Sequence, residues 1–200
     1  MRWFSLMVLA ASLAPVTAAP LGAQSRADFD RWFVELQQES ATDQATGQIA
    51  AAAKKDPYAR QLLAEHLPPL IEKLRGPVWV NAIRLAGELK ISEAVPSLVE
   101  ILKSQDARSG PTTFAEEFRL DDDPAGRALV EIGEPATAAV GKLLADPNRN
   151  IRWRAALVLS NMNSVGADGE LSRHIGDEGD PGIKKYVQAH LVERQKTRTP

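Results

Sequence analysis

Four Asp-Pro steps and one Gly-Pro step, each followed by an apolar segment, constrain the fold of this chain more than any other feature. Proline suits the first turn of a helix because its nitrogen carries no proton, and an aspartate before it can cap the exposed amides. Each joint therefore predicts the start of a helix. The joints are DPYARQLLAEHL at 56–67, GPVWVNAIRLAGEL at 76–89, DPAGRALVEIG at 123–133, DPNRNIRWRAALVL at 146–159 and DPGIKKYVQAHL at 180–191.

The segments after the joints keep the periodicity of an amphipathic helix. Apolar residues recur at i, i+4, i+7, i+8 and i+11, which places them on one face. Two segments share this spacing, with Val78, Ala82, Leu85, Ala86 and Leu89 in the first and Ile151, Ala155, Val158, Leu159 and Met162 in the second. We expect these stripes to be buried, and Leu129 of the joint between them to be buried too.

A second apolar helix is predicted ahead of each joint, so that each pairs with the helix after it. One helix pair has apolar surface on two sides, and neighbouring pairs must cover that surface. The sequence thus predicts an all-α fold of five stacked helix pairs. A non-repeating helical bundle with similar caps is the alternative. The first helices of the five pairs are predicted at 45–55, 67–75, 94–103, 135–145 and 168–175.

An N-terminal capping helix is predicted at 24–42. Its apolar residues follow the spacing i, i+3, i+4 and i+7, which suits a helix that covers one end of a stack and leaves its other face in water. Such an aromatic stripe is typical of core packing. The stripe consists of Phe29, Trp32, Phe33 and Leu36.

A long insertion at 104–122 interrupts the predicted repeat domain, which spans 43–195. It holds Phe114 and Phe118, which are four residues apart and would share one side of a short helix. Two interpretations stay open, since the pair could contact a partner or fold back over the neighbouring helices. The last residues, 196–200, predict a disordered tail.

Two stretches of the chain resemble HEAT repeats, especially the short bacterial form related to phycobilin lyase repeats. They are AVPSLVEILK followed by DPAGRALVEIG, and AAVGKLLADPNRNIRWRAALVL. In that family a turn aspartate is followed by an aliphatic and a basic residue at the start of the second helix, and Asp146, Ile151 and Arg152 match this arrangement. The resemblance covers about 43–195 and implies a right-handed α-solenoid of about five helix pairs.

The other joints match the HEAT pattern to different degrees. Asp180, Ile183 and Lys184 fit a tighter version of it. The joints that begin at Asp123 and Asp56 keep the acidic and basic residues but place a glycine and an alanine at the aliphatic position. The Gly-Pro joint lacks both charges, so the predicted ladder of charge pairs is interrupted there.

The HEAT resemblance implies that the second helices line a concave contact surface. Arginine and tryptophan are favoured at protein interfaces because they combine area with directed hydrogen bonds. Arg127 and Arg152 have a structural alternative, since they could pair with Asp123 and Asp146. The positions expected off the buried stripe are Trp79, Arg84, Glu88, Arg127, Glu131, Arg152, Arg154 and Asn161. Trp79, Arg84, Glu88 and Arg154, with Phe114 and Phe118, are therefore the candidate partner-binding residues.

The sequence offers no pattern for catalysis. His66, His174 and His190 each lack a second histidine or a cysteine at metal-ligand spacing, and an isolated histidine on a repeat helix is usually solvated or hydrogen-bonded. The chain also lacks a P-loop, a dinucleotide fingerprint and a nucleophile elbow. We therefore expect no catalytic residue, no cofactor and no metal.

Charge gives little indication of a partner. The formal net charge is −2, which offers no attraction for nucleic acid. The acidic residues at 121–123, and Asp177, Glu178 and Asp180, could supply oxygen ligands to calcium. Neither group follows the alternating spacing of a calcium loop, and helix capping and solubility explain both.

Residues 1–23 have the pattern of a secretory leader. Arg2 is followed by an apolar run of 12 residues from Trp3 to Ala14 and then by small residues, which predicts cleavage after Ala23 or, less well, after Ala19. The apolar run is shorter than the roughly 20 residues of a membrane span. The chain has no cysteine, so neither a disulfide nor a cysteine-linked lipid anchor is expected. The sequence predicts a periplasmic or secreted protein.

Taken together, the patterns predict an exported, non-catalytic HEAT-like scaffold that binds a protein or a peptide. Two alternatives belong to other classes. The resemblance to lyase repeats implies a lyase-like or chromophore-handling enzyme, and the acidic loops suggest an extracytoplasmic regulatory module that responds to calcium.

Overall fold

The computed structural model describes residues 23–38, 42–73, 76–104 and 119–198. These residues form ten α-helices and contain no β-strand, which confirms the predicted all-α class. The predicted leader and the pair Phe114 and Phe118 lie outside the described residues. The helices are α1 (Ala23–Glu35), α2 (Thr42–Lys55), α3 (Pro57–Lys73), α4 (Gly76–Glu88), α5 (Val95–Ser104), α6 (Pro124–Ile132), α7 (Glu134–Gly141), α8 (Arg149–Asn161), α9 (Val165–His174) and α10 (Pro181–Arg198).

Contacts between the helices form two series. Helices α2, α4, α6, α8 and α10 each pack against the next member of that set, and α3, α5, α7 and α9 do the same. Consecutive helices also pack against each other, with the exception of α4 and α5, and α1 packs on α2. The helices therefore divide into five consecutive pairs, with an odd-numbered helix first and an even-numbered helix second.

The last three of these pairs are the predicted ones, whereas the first two differ from the prediction. The segments 56–67 and 67–75, predicted as two helices, form the single helix α3, although Pro68 and Pro69 lie inside it. An interior proline costs about 3 kcal/mol, but apolar residues four positions apart form one continuous stripe that is buried along the whole helix. This burial outweighs the break that the prolines favour. The stripe is Ala59, Leu63, Leu67 and Ile71.

Because two predicted helices form the single helix α3, the N-terminal helix has a different role from the predicted one. The predicted capping helix at 24–42 is wrong in extent, because α1 ends at Glu35 and α2 begins at Thr42. In the contact pattern, α1 is the first helix of a pair whose second helix is α2. Phe29 and Leu36 are buried as predicted, and Trp32 and Phe33 pack half-buried against the core.

The core lies between the two series of helices and follows the predicted stripes. Leu85, Leu129 and Leu159 have no exposed surface, and every member of both five-residue stripes is buried. Together with the remaining buried residues they form one continuous apolar cluster from α1 to α10. This burial supplies the packing on which a chain without cysteine depends.

Three of the four Asp-Pro steps start helices as predicted. In each, the aspartate Oδ1 atom accepts a backbone N–H from the first turn. The bonds are Tyr58 N to Asp56 at 2.8 Å, Ala125 N to Asp123 at 3.0 Å, and Ile183 N to Asp180 at 2.9 Å.

The fourth step, Asp146-Pro147, differs from the prediction. Asp146 accepts the backbone N–H of Asn148 at 2.9 Å, and Asn148 in turn accepts that of Asn150, also at 2.9 Å. Helix α8 therefore begins at Arg149, with Asn148 as its N-cap. Asparagine caps as well as aspartate does. Asn148 therefore takes the cap position, and the helix begins later than predicted.

Replacing Asp123 with alanine should lower the free energy of unfolding by about 1–2 kcal/mol, because the fully buried side chain caps α6. Chemical denaturation followed by circular dichroism measures the change. Asp122→Ala is the matched control, since Asp122 is exposed one residue away. An equal loss in the two variants would contradict the capping role.

The C-terminal end is more ordered than predicted. Helix α10 continues to Arg198 instead of fraying at 196. The last turns are supported by an ion pair between Lys196 and Glu193 and by a hydrogen bond from the Thr197 hydroxyl to the Arg194 carbonyl. Among the described helices, none is both long enough and apolar enough to span a bilayer.

Candidate functional site

A groove lies between α4 and α6, two consecutive helices of the even-numbered series. Its volume is about 190 Å³, and its apolar lining comes from Val80, Pro124 and Ala128. Val80 is 41% exposed, which is high for a large aliphatic side chain. The groove is therefore a place where apolar surface stays open to a ligand.

The position of the groove follows from helix periodicity. On α4, residues 80 and 84 lie four apart and off the buried stripe of that helix. On α6, residues 127 and 131 have the same relation. The two helices are in tight contact near the C-terminal end of α4, where a Cβ atom built on Gly87 would lie 2.9 Å from the Cα atom of Ala128. Ala128 also lines the groove, so this tight contact borders it.

Charged side chains form the rest of the groove. Arg84, Arg127, Asp121 and Glu131 line it, and all four are exposed. None of them makes a side-chain hydrogen bond or an ion pair with another described residue. Each keeps its full set of donors or acceptors for a ligand.

The lack of partners is unusual among the arginines of this protein. Among the arginines whose side chains the structure describes, Arg84, Arg119 and Arg127 have no polar partner, and Arg119 precedes the groove residue Asp121 by two positions. The arginines that do have hydrogen-bonded or ion-paired partners are Arg26, Arg31, Arg60, Arg149, Arg152, Arg154, Arg173 and Arg194.

The other candidate residues on α4 have structural contacts. Trp79 is half-buried, and its indole Nε1 donates to the Ile71 carbonyl of α3 at 3.1 Å. Glu88 is exposed and pairs with Lys54 of α2. Of the three candidates on this helix, the structure brings only Arg84 into the groove.

The expectation that Arg154 lies on an exposed face is wrong. Its side chain is 5% exposed, and Nη1 donates to the Leu102 carbonyl at 3.2 Å. Leu102 is in the last turn of α5, where carbonyl groups have no donor within the helix and the helix dipole attracts a cation. Arg154 is therefore satisfied inside the fold and is unavailable to a partner.

The two predicted pairs between a turn aspartate and a following arginine also differ from expectation. Arg127 makes no ion pair with Asp123, whose carboxylate caps α6 instead. Arg152 donates to the backbone carbonyls of Asp146 at 3.1 Å and Pro147 at 3.2 Å, so it contacts the turn but not its carboxylate. Because both aspartates accept backbone N–H groups, neither pairs with its predicted arginine.

Arginines of α8 join that helix to the turn before α10. Arg152 forms a two-point contact with Glu178, both bonds at 3.1 Å, and Arg149 forms one with Asp180. Two of the three carboxylates in the second candidate calcium group, Glu178 and Asp180, are thus engaged by guanidinium groups. Among the described residues, no group of three histidine or acidic side chains is arranged to hold a metal ion.

The arginines lower the pKa values of both carboxyl groups. Burial alone would raise the pKa of Glu178, but hydrogen bonds from Arg152 and from the Asp180 backbone N–H outweigh it. The hydrogen bond from Arg149 holds the pKa of Asp180 below its usual value, against the effect of burial. Both shifts stabilise the folded state once the groups are ionised.

Acidification should therefore destabilise the protein through this joint. Because both folded-state pKa values are lowered, their stabilisation is complete above the unfolded values of about 4 and is lost as the pH falls further. We expect the Glu178→Gln, Asp180→Asn variant to lose less stability between about pH 5 and pH 3 than the wild type does. Denaturation midpoints across this range test it, and parallel curves would contradict it.

The three histidines are in different environments. His66 is exposed and its ring centre is 5.7 Å from that of Phe33. His190 is half-buried, with Nε2 at 3.5 Å from an oxygen of Asp168. His174 lines a second cleft beside Glu178. They lie on different helices, α3, α9 and α10, and the groove contains none of them.

Comparison of the chain with protein-family models, curated proteins and solved structures finds no match. The HEAT resemblance therefore stays a prediction, and the function is inferred from geometry and charge.

Proposed function

We propose that this protein is an exported, non-catalytic scaffold that binds a protein or a peptide. In this proposal the five helix pairs stack as a right-handed, HEAT-like solenoid, and the even-numbered helices line its contact surface. The two series of helix contacts support such a stack, since a solenoid requires each helix to pack on its counterpart in the next pair.

The groove between α4 and α6 is the observation that carries the binding role. It combines open apolar surface at Val80 with charged side chains that have no polar partner among the described residues. A groove held between packed helices is preformed, so that binding loses little conformational freedom. Recognition of another macromolecule uses these properties.

Site-specific photo-crosslinking tests this role. A photoreactive amino acid at Val80 should capture a defined partner in an extract of the source cell envelope, and Arg84→Ala should reduce the yield. The same amino acid at Val34 of α1, which is 57% exposed and outside the groove, is the matched control. Equal capture from both positions, or none from Val80, would contradict binding at the groove.

Export is the second part of the proposal. Removal of the leader after Ala23 would leave the packed residues of α1 in the mature chain, because the first of them is Phe29. N-terminal sequencing of the protein from its native cells should therefore begin at Gln24. A start at Met1 on the intracellular protein would contradict export.

A further inference from the structure

We propose that the ligand of the groove is a peptide in which an aliphatic side chain is flanked by an acidic residue on one side and a basic residue on the other. This inference rests on the proposed peptide-binding function and specifies the partner. It depends on the signs and positions of the four charged side chains in the groove and on the apolar surface between them.

The arginines provide the strongest contribution to recognition. Each guanidinium group presents five N–H donors in a planar arrangement that matches a carboxylate with two parallel hydrogen bonds. Arg84 and Arg127 lie on opposite helices of the groove, and neither has a partner in the described structure. A ligand carboxylate between α4 and α6 would therefore bind without breaking an existing ion pair.

The carboxylates of the groove limit which anions can bind. Asp121 and Glu131 line the same groove as the two arginines, so its charge is balanced. A polyanion would meet repulsion from both acidic residues, and this disfavours nucleic acid or a uniformly acidic peptide. A basic residue of the ligand would instead find acceptors at Asp121 or Glu131.

The apolar part of the groove accepts the side chain between these charges. Val80, Pro124 and Ala128 present small or medium-sized apolar groups. A volume of about 190 Å³ limits what can enter it, so one aliphatic side chain suits it better than a cluster of aromatic ones. Burial of that side chain contributes affinity, and the charges fix its orientation.

Selection of peptides from a displayed random-sequence library by the purified mature protein tests the inference. We expect the selected peptides to share an aliphatic residue flanked by an acidic and a basic one. Arg84→Glu should weaken their binding roughly tenfold or more, because it replaces a charge-assisted hydrogen bond with repulsion. Replacing the acidic residue of the peptide with lysine should restore binding to that variant.

A matched control separates this effect from a general change of charge. Lys185 is exposed on α10, makes no polar side-chain contact with a described residue and lies outside the groove, so Lys185→Glu should leave binding unchanged. If peptides bind but Arg84→Glu acts no more strongly than this control, the inference is wrong while the peptide-binding function stands. If the library yields no peptide, the inference is wrong, and crosslinking from Val80 decides separately whether the groove binds a protein.

Discussion

The Leu85→Ala substitution should lower the free energy of unfolding by about 3 kcal/mol relative to the wild type. Leu85 has no exposed surface and lies in the last turn of α4, a helix that packs against α2, α3 and α6. Truncating it removes buried methyl groups and leaves a cavity that close-packed neighbours fill only in part. Denaturation by urea, followed by circular dichroism, measures the difference.

Val80→Ala is the control for this substitution. It also shortens an aliphatic side chain of α4, but at a position open to solvent, and should change the free energy of unfolding by no more than about 0.5 kcal/mol. If Leu85→Ala had an effect as small as that of Val80→Ala, the core would not be built around the α4 stripe.

Gly87→Ala should lower the free energy of unfolding by about 1–3 kcal/mol. A Cβ atom at position 87 would lie 2.9 Å from the Cα atom and 3.1 Å from the Cβ atom of Ala128, and it would meet the Glu131 carboxylate as well. The Glu131 side chain can rotate away, but the backbone of α6 cannot move without repacking the core. The same denaturation experiment measures the loss.

Gly47→Ala gives the opposite expectation in a matched experiment. Gly47 is exposed inside α2, and a Cβ atom built on it meets no other atom within 4 Å. Because glycine weakens a helix, the alanine should raise the free energy of unfolding by about 0.5–1 kcal/mol. A gain in both variants would show that α4 and α6 are not in tight contact at Gly87.

The all-α class and the buried stripes could be predicted because they depend on local patterns. Apolar spacing in α4 and α8 determines which face is buried, and the aspartate caps the helix at three of the four Asp-Pro steps. Leu85 and Leu159 are buried for this reason. The assignment of helices to pairs could not be predicted from local signals alone. Pro68 and Pro69 favour a break that the buried stripe of α3 overrides.

The candidate site was predictable only in part. Arg84 could be assigned to an exposed face because it lies off the stripe of its own helix. Arg154 could not, because its burial depends on α5, which is distant in the sequence. Val80 and Asp121 were missed as groove residues, although the exclusion of position 80 from the buried stripe was a usable signal. The other residues of the candidate site depend on which helices are neighbours in the fold.

The two series of helix contacts also determine how this protein would respond to force. Within the described residues, each helix packs mainly against helices no more than three positions away in chain order. An end pair can therefore detach while the centre keeps all of its own contacts. If the five pairs stack as proposed, the molecule pulled by its two termini would lengthen in successive small steps and would recover from each step independently.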